Sequence, residues 1–246
     1  MPPSDLGAPL ERNRLLAALP GAGYAALARR LEAVRLQPKQ VLFARGGPID
    51  YVYFPRGAVA SILVDASKDR LVEGGSVGNE GVVGLAASLD AGPAGEVAIC
   101  RIPGEAARME ARAFRAACKR SARLREVLQR YTLALMGQMA RTAGCNRVHP
   151  IEERLARWLL MTHDRVGADQ FHMTQEFIAA MLGVRRPSVT VAAGILQQAG
   201  LIDYRRGHLH ILDRARLEEA ACEDYRRTEG LYEELFRSLD GIGQSE

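Results

Sequence analysis

A chain of 246 residues holds one large domain or two modest ones, and 48% hydrophobic with 25% charged residues excludes a disordered polypeptide. No uninterrupted apolar run reaches the ~18–20 residues of a bilayer-crossing helix, and the first ten residues lack the basic and apolar regions of a signal peptide, so a cytoplasmic protein with no membrane partner is expected. A formal net charge of +4 permits nucleic-acid binding without demanding it, and Cys100, Cys118, Cys145 and Cys222 form no CxxC pair and read as free thiols.

Leu15, Leu16, Leu19, Tyr24, Leu27 and Leu31 recur at helical spacing. Short apolar or alternating runs follow at Val41–Phe43, Tyr51–Phe54, Ala58–Val64, Val82–Leu85 and Val97–Ile102, separated by Gly- and Pro-containing turns. Many short strands at close spacing predict a compact antiparallel barrel or sandwich.

After Pro103-Gly104 the pattern turns helical. Leu124, Leu128, Tyr131, Leu135 and Met139 repeat every three or four residues, predicting a helix of roughly 35 Å from about Ser121 to Ala143. Such a stripe packs either on its own barrel or on a second copy of the chain, and a coiled-coil-like dimer seam is the expectation. Gly144-Cys145-Asn146 reads as its C-cap, and Pro150-Ile151-Glu152-Glu153 opens the next helix, which turns Leu155, Trp158, Leu159 and Thr162 inward.

The densest signal runs from Met173 to Thr190. Thr174 can cap a helix whose apolar face is Phe177, Ile178, Met181 and Leu182, Gly183 supplies a tight turn, and Val184 fills the angle before a second helix begins near Pro187 and runs to Gln198. The second helix buries Val189, Ala192, Ala193 and Leu196 and offers Arg185, Arg186, Ser188 and Thr190 at its start, with Gln175 nearby on the first. Arg pairs bidentately with guanine and hydroxyls serve several bases, so these residue types at a helix start suit the major groove. Asp203 to Ile211 then reads as a β-hairpin whose Arg205, Arg206 and His208 can lie along phosphates. A helical hairpin with solvated arginines explains the helices but not the coincidence of turn glycine, double arginine and basic hairpin.

With barrel, long helix and winged helix-turn-helix in that order, the chain resembles the Crp/Fnr family of bacterial transcription regulators from Asn13 to Ile211, most specifically in Tyr53-Phe54-Pro55-x-Gly57 and in Gly183 through Ile202. The resemblance implies an α+β protein: a cyclic-nucleotide-binding-like jelly-roll sensor over residues 1–112, a dimerisation helix over 113–146 and a winged helix-turn-helix over 147–246. It also implies a homodimer on double-stranded DNA with two half-sites, with RNA polymerase as a partner. At the family's base-reading positions stand Arg186, Pro187 and Val191; proline and valine replace the usual glutamate and arginine, so the operator should differ.

Cyclic-nucleotide-binding members carry Gly-Glu-Leu and a later Arg-Ser/Thr-Ala around the ligand. Here those stretches read Gly84-Leu85-Ala86 and Gly95-Glu96-Val97-Ala98, and no arginine lies between Arg70 and Arg101, so cyclic AMP is not expected to bind in the family's manner. No histidine precedes His149, which argues against a metal or haem site in the barrel and against a cupin-like enzyme, and the N-terminal region has no cysteine cluster for iron and sulfur. No cofactor is therefore assigned and the effector stays open. Cys145, at the hinge, is the one candidate redox switch, although a lone cysteine also serves as packing. A ligand- or partner-binding module with a vestigial DNA-binding domain is the alternative function.

Overall fold

The computed structural model describes residues 13–19, 21–67, 70–89 and 92–240. Asn13 anchors the amino-terminal helices: its Oδ1 accepts from Leu16 to cap α1 (Arg14–Ala17), and its Nδ2 donates to the carbonyls of Pro55 and Gly81. α2 (Gly21–Ala28) follows, and Leu15, Leu16 and Leu27 sink into the core of the barrel.

The barrel is built from two antiparallel sheets. One orders β1 (Glu32–Leu36), β7 (Gly104–Glu110) and β3 (Tyr51–Pro55) as β1-β7-β3. The other orders β2 (Val41–Phe43), β6 (Val97–Ile102), β4 (Val59–Ser67) and β5 (Arg70–Val77) as β2-β6-β4-β5. Strands β1, β5 and β7 escape the hydropathy pattern because alanine, glycine and charged residues dominate them; β7 turns only Ala106, Ala107 and Met109 fully inward. Val82–Leu85 is not a strand: Val83 makes a single bridge to Tyr53, and Gly84, at φ +88°, swings the chain into a 3-10 turn over Leu85–Leu89.

α3 (Ala111–Arg120) stops at Ser121, whose hydroxyl then caps α4 (Ala122–Val148) by accepting from Leu124. α4 continues through Gly144-Cys145-Asn146, so the expected left-handed cap is absent. Pro150 ends it instead, by holding His149 in extended backbone (φ −94°, ψ 148°).

The predicted dimer stripe has another neighbour. Leu124, Leu128, Tyr131 and Leu135 are buried in the chain's own core, with Tyr131 fully inaccessible, and Met139 packs partly against it beside Gly75. They contact the barrel on one side and α9 (Asp224–Asp240) on the other, through Tyr232, Leu235 and Leu239. Gly137 marks the close approach, where a Cβ would come within 2.8 Å of Leu231. The periodicity identified a buried face but could not say what buries it.

α5 (Ile151–Val166) ends at Gly167 in the left-handed region. β8 (Gln170–His172), α6 (Gln175–Leu182), α7 (Arg186–Gln198), β9 (Ile202–Arg205) and β10 (His208–Ile211) form the winged helix, with sheet order β8-β10-β9. α8 (Arg214–Glu219) closes it, and α9 leaves it to run along α4. Among the described residues no single helix is long and apolar enough to cross a membrane.

Two buried arginines join the halves. Arg165 of α5 pairs with Glu80 at 2.9 Å, donates to Ser76 Oγ at 2.6 Å and to Gln138 Oε1 at 2.8 Å, and Tyr232 donates to the same Gln138 oxygen at 3.0 Å. Glu80 overrides the burial penalty and raises the Arg165 pKa. Arg101 of β6 lies between Glu73 at 3.1 Å and the Trp158 ring, 4.3 Å from its centroid, and donates to Thr162 Oγ1. Here burial wins and pulls the guanidinium down to about 10. Both arginines stay charged at neutral pH. Removing one partner of such a pair strands a buried charge, at about 3–5 kcal/mol. Arg165→Ala should therefore lower the thermal midpoint by several degrees relative to Arg14→Ala, whose Glu233 partner is solvent-exposed; equal midpoints in parallel calorimetric melts would refute the socket's role.

Candidate nucleic-acid interface

The first helix of the motif starts where sequence placed it. Thr174 Oγ1 accepts from the Phe177 amide, and Ile178, Met181 and Leu182 are buried. Gly183, at φ +65°, ends α6, and the Gly183 and Val184 amides bond back to Ala180 and Ala179. The chain bends by 102° between α6 and α7. Arg185 is the extended N-cap residue of α7, Pro187 sits in its first turn, and Val189, Ala192, Ala193 and Leu196 are buried as expected. Arg185, Arg186, Pro187 and Thr190 are exposed, and Ser188 is half-buried.

The exposed polar groups are organised among themselves. Gln175 Oε1 accepts from Arg186 Nε at 3.3 Å and from Thr190 Oγ1 at 3.1 Å. Arg186 Nη1 also pairs with Glu176 Oε1 at 3.0 Å, a partner the sequence did not single out. An exposed pair of this kind contributes at most ~1 kcal/mol, so the guanidinium can be redirected to a base at small cost. Arg205 pairs with Asp203 at 3.1 Å in the same weak way.

The hairpin is a true wing. Arg206 (φ +51°) and Gly207 (φ +84°) form its two-residue turn, the left-handed pair that matches strand twist. A Cβ at Gly207 would meet His172 Nε2 at 2.8 Å, so glycine is needed there for space as well as conformation. The Met173 amide donates to the Gly207 carbonyl at 2.6 Å, and Tyr204 OH donates to the Met173 carbonyl at 2.8 Å. These two bonds fix the wing against the start of α6, and so set Arg206 relative to Gln175. His172 and His208 lie edge to face with centroids 5.1 Å apart; the alternation of His208 and His210 hinted at a strand, but nothing local pointed to His172 across from it.

In the barrel, Leu85 opens the 3-10 turn where the resemblance implies a ribose-binding carboxylate, and Glu96 is half-buried. A cation does approach the turn from outside the strands: Arg115 of α3 donates to the Ala87 carbonyl at 3.3 Å and lines a cavity of about 310 Å³ with Gly46, Ile49 and Gly92. Arg115 lies beyond the barrel strands in the sequence, outside the arginine-free stretch between Arg70 and Arg101. Among the cysteines, burial pushes Cys100 and Cys118 up to about 11. Cys145 does have a neighbour, Cys222, with sulfurs 3.3 Å apart. The two sulfurs share a hydrogen bond, which with Arg157 and His149 pulls Cys145 down to about 6, and Cys222 rises.

Residues 153–220 match the model of the Crp-like helix-turn-helix domain. The chain superposes over 78% of its length on FixK2 from Bradyrhizobium japonicum, with a TM-score of 0.63 at 19% identity and 98% of that chain covered. The chain has the Crp/Fnr regulator fold. The same fold is seen in a putative cAMP-binding regulatory protein from Silicibacter pomeroyi DSS-3 (TM-score 0.62, 18% identity, 86% and 99% covered). It is seen again in the c-di-GMP-responsive global regulator CLP of Xanthomonas campestris (TM-score 0.58, 17% identity, 78% and 99% covered). No curated protein sequence matches the chain. Within the Crp/Fnr fold, α4 is the long central helix and α7 the second helix of the helix-turn-helix.

Proposed function

We propose that this protein regulates transcription by binding a two-half-site operator as a homodimer, without gating by cyclic AMP. The observation that carries the reading is the solvent-facing start of α7, where Arg185 and Arg186 stand beside the Arg206-Gly207 wing tip on a frame fixed by Tyr204 and Met173. Arg186 reads a guanine edge in the major groove, Ser188 and Thr190 flank it, and Arg205, Arg206 and His208 hold phosphates. RNA polymerase is the partner such a regulator addresses.

The dimer is built on the face of α4 opposite the one sequence favoured. Gln129, Leu133, Met136, Ala140 and Ala143 recur at alternating steps of four and three along its exposed side, with Leu133 69% and Met136 61% accessible. That is a heptad seam, and its two alanines allow close approach of a symmetry mate. Gating by cyclic AMP is disfavoured because Leu85 stands where the ribose carboxylate would be, and the phosphate arginine would fall near Val97, where Glu96 repels a phosphate.

Selection of bound sequences from random DNA should return two half-sites about one helical turn apart. On that operator Arg186→Ala should cost ~1–3 kcal/mol and relax one base pair per half-site, whereas Arg205→Ala should weaken all sequences alike and make the salt dependence shallower; titrations at several salt concentrations in which the two variants exchange behaviours would reverse the roles. Leu133→Glu with Met136→Glu should give a folded monomer by light scattering, and a variant that stays dimeric would reject the seam. Calorimetric titration with cyclic AMP should show no micromolar binding, and a micromolar isotherm would overturn that part of the reading.

A further inference from the structure

At the hinge between α4 and α5, side chains from two distant segments converge on one point. Cys145 lies in the last turn of α4 and His149 is its C-cap residue, four positions on; Cys222 and Asp224 come from the turn into α9. One donor atom from each, two sulfurs, a ring nitrogen and a carboxylate oxygen, all lie within 4.8 Å of one another. The two sulfurs are 3.3 Å apart, and His149 Nδ1 is 3.7 Å from Asp224 Oδ2. A tetrahedral zinc ion with bonds of about 2.0–2.3 Å requires donor separations of about 3.3–3.8 Å. Small side-chain rotations would bring the set to that geometry.

Two further observations point to a ligand. His149 interacts with Cys145, its buried Nδ1 lies 3.7 Å from Asp224 Oδ2 without a well-formed hydrogen bond, and its Nε2 faces the Glu223 carboxylate at 3.4 Å. An imidazole with a carboxylate behind one nitrogen and donors gathered before the other is oriented as metal-bound histidines are. The surrounding charge also favours anionic donors. Arg157 is buried, reaches Thr142 Oγ1 and Met161 Sδ, and its positive charge acts on the Cys145 and Cys222 sulfurs. Arg154 is buried beside it, bonded to Asn146 and the Leu182 carbonyl, and Arg141 lies 3.6 Å from Asp224. A buried cation needs a counter-charge. Two thiolates and a carboxylate around a divalent ion carry a net charge of −1, which supplies one.

We propose that Cys145, His149, Cys222 and Asp224 bind a divalent transition-metal ion of the zinc class, stapling α9 to the α4–α5 hinge. All four positions are filled by protein, so the site is a structural or sensing one with no open place for chemistry. A Cys145–Cys222 disulfide is the competing use of the pair. It would remove both sulfur donors and leave the positive charge of Arg157 facing a neutral bridge.

The test uses the full-length reduced protein and cobalt(II) alone as the probe. One equivalent should give the intense visible bands of a tetrahedral ion together with a thiolate-to-cobalt charge-transfer band, and one equivalent of zinc should bleach both. Cys222→Ala and Asp224→Asn, each checked for native circular dichroism, should bind cobalt at least tenfold more weakly. Zinc should also raise the melting temperature of the wild type but not of Cys222→Ala. Weak octahedral bands only, bands that survive in folded Cys222→Ala, or formation of the disulfide at an unchanged rate with zinc present would each overturn the proposal. Because none of these readouts involves DNA, the site stands or falls apart from the operator-binding reading.

Discussion

The arrangement of the whole molecule rests on Arg165. Its guanidinium leaves the winged-helix half and enters a socket made by Ser76 and Glu80 of the barrel and by Gln138 of α4, itself bonded to Tyr232 of α9. Four separate segments are thereby required to meet at one cation. The socket admits it only because residue 78 is glycine, since a Cβ there would lie 2.5–2.7 Å from the Arg165 side chain. Glu80 keeps its place through the Gly78 amide, so loop, arginine and carboxylate position one another. A hydrophobic contact of equal area would have tolerated sliding, whereas a bidentate ion pair with every donor satisfied does not.

Around that point the barrel and the winged helix share a boundary that is part ionic and part apolar. Val59, Leu63 and Ile102 of the barrel belong to the same apolar cluster as Trp158, Ile178 and Met181. Glu73 sits at its centre, accepting from Ser61, Arg101 and Trp158. The docked domain still presents the start of α7 and the wing to solvent, so that exposed surface and the docking face lie on different sides of the helix-turn-helix.

What the sequence revealed divides along the range of the interactions. Helix caps and tight turns are local, and Thr174, Gly183, Pro187 and Gly207 could be read directly because each acts within a few residues of itself. Strands with one apolar face of bulky residues were legible too, while β5 and β7 were not, because glycine and alanine carry little hydropathy signal even when buried. Non-local pairings stayed hidden. Nothing near Leu128 says that α9 will cover it, nothing near Ala87 announces Arg115, and Cys145 and Cys222 stand 77 positions apart in the chain before folding sets their sulfurs in contact. Periodicity established that α4 has an inward side. Whether that side meets its own barrel or a second subunit depends on residues far along the chain, such as Tyr232 and Leu235 of α9.

Pro150 carries a consequence beyond ending α4. On either side of it lie two well-formed helices, and only the extended residue before the proline keeps them from joining. The intervening His149 has no intrinsic aversion to helix. Were the ring absent, one continuous rod from Ala122 to Val166, about 65 Å long, would compete with the bent arrangement. In that rod Arg165 would project far from Glu80, and the winged helix would be carried off the barrel altogether. A single pyrrolidine thus decides between a folded-back molecule and an extended one built from the same helices.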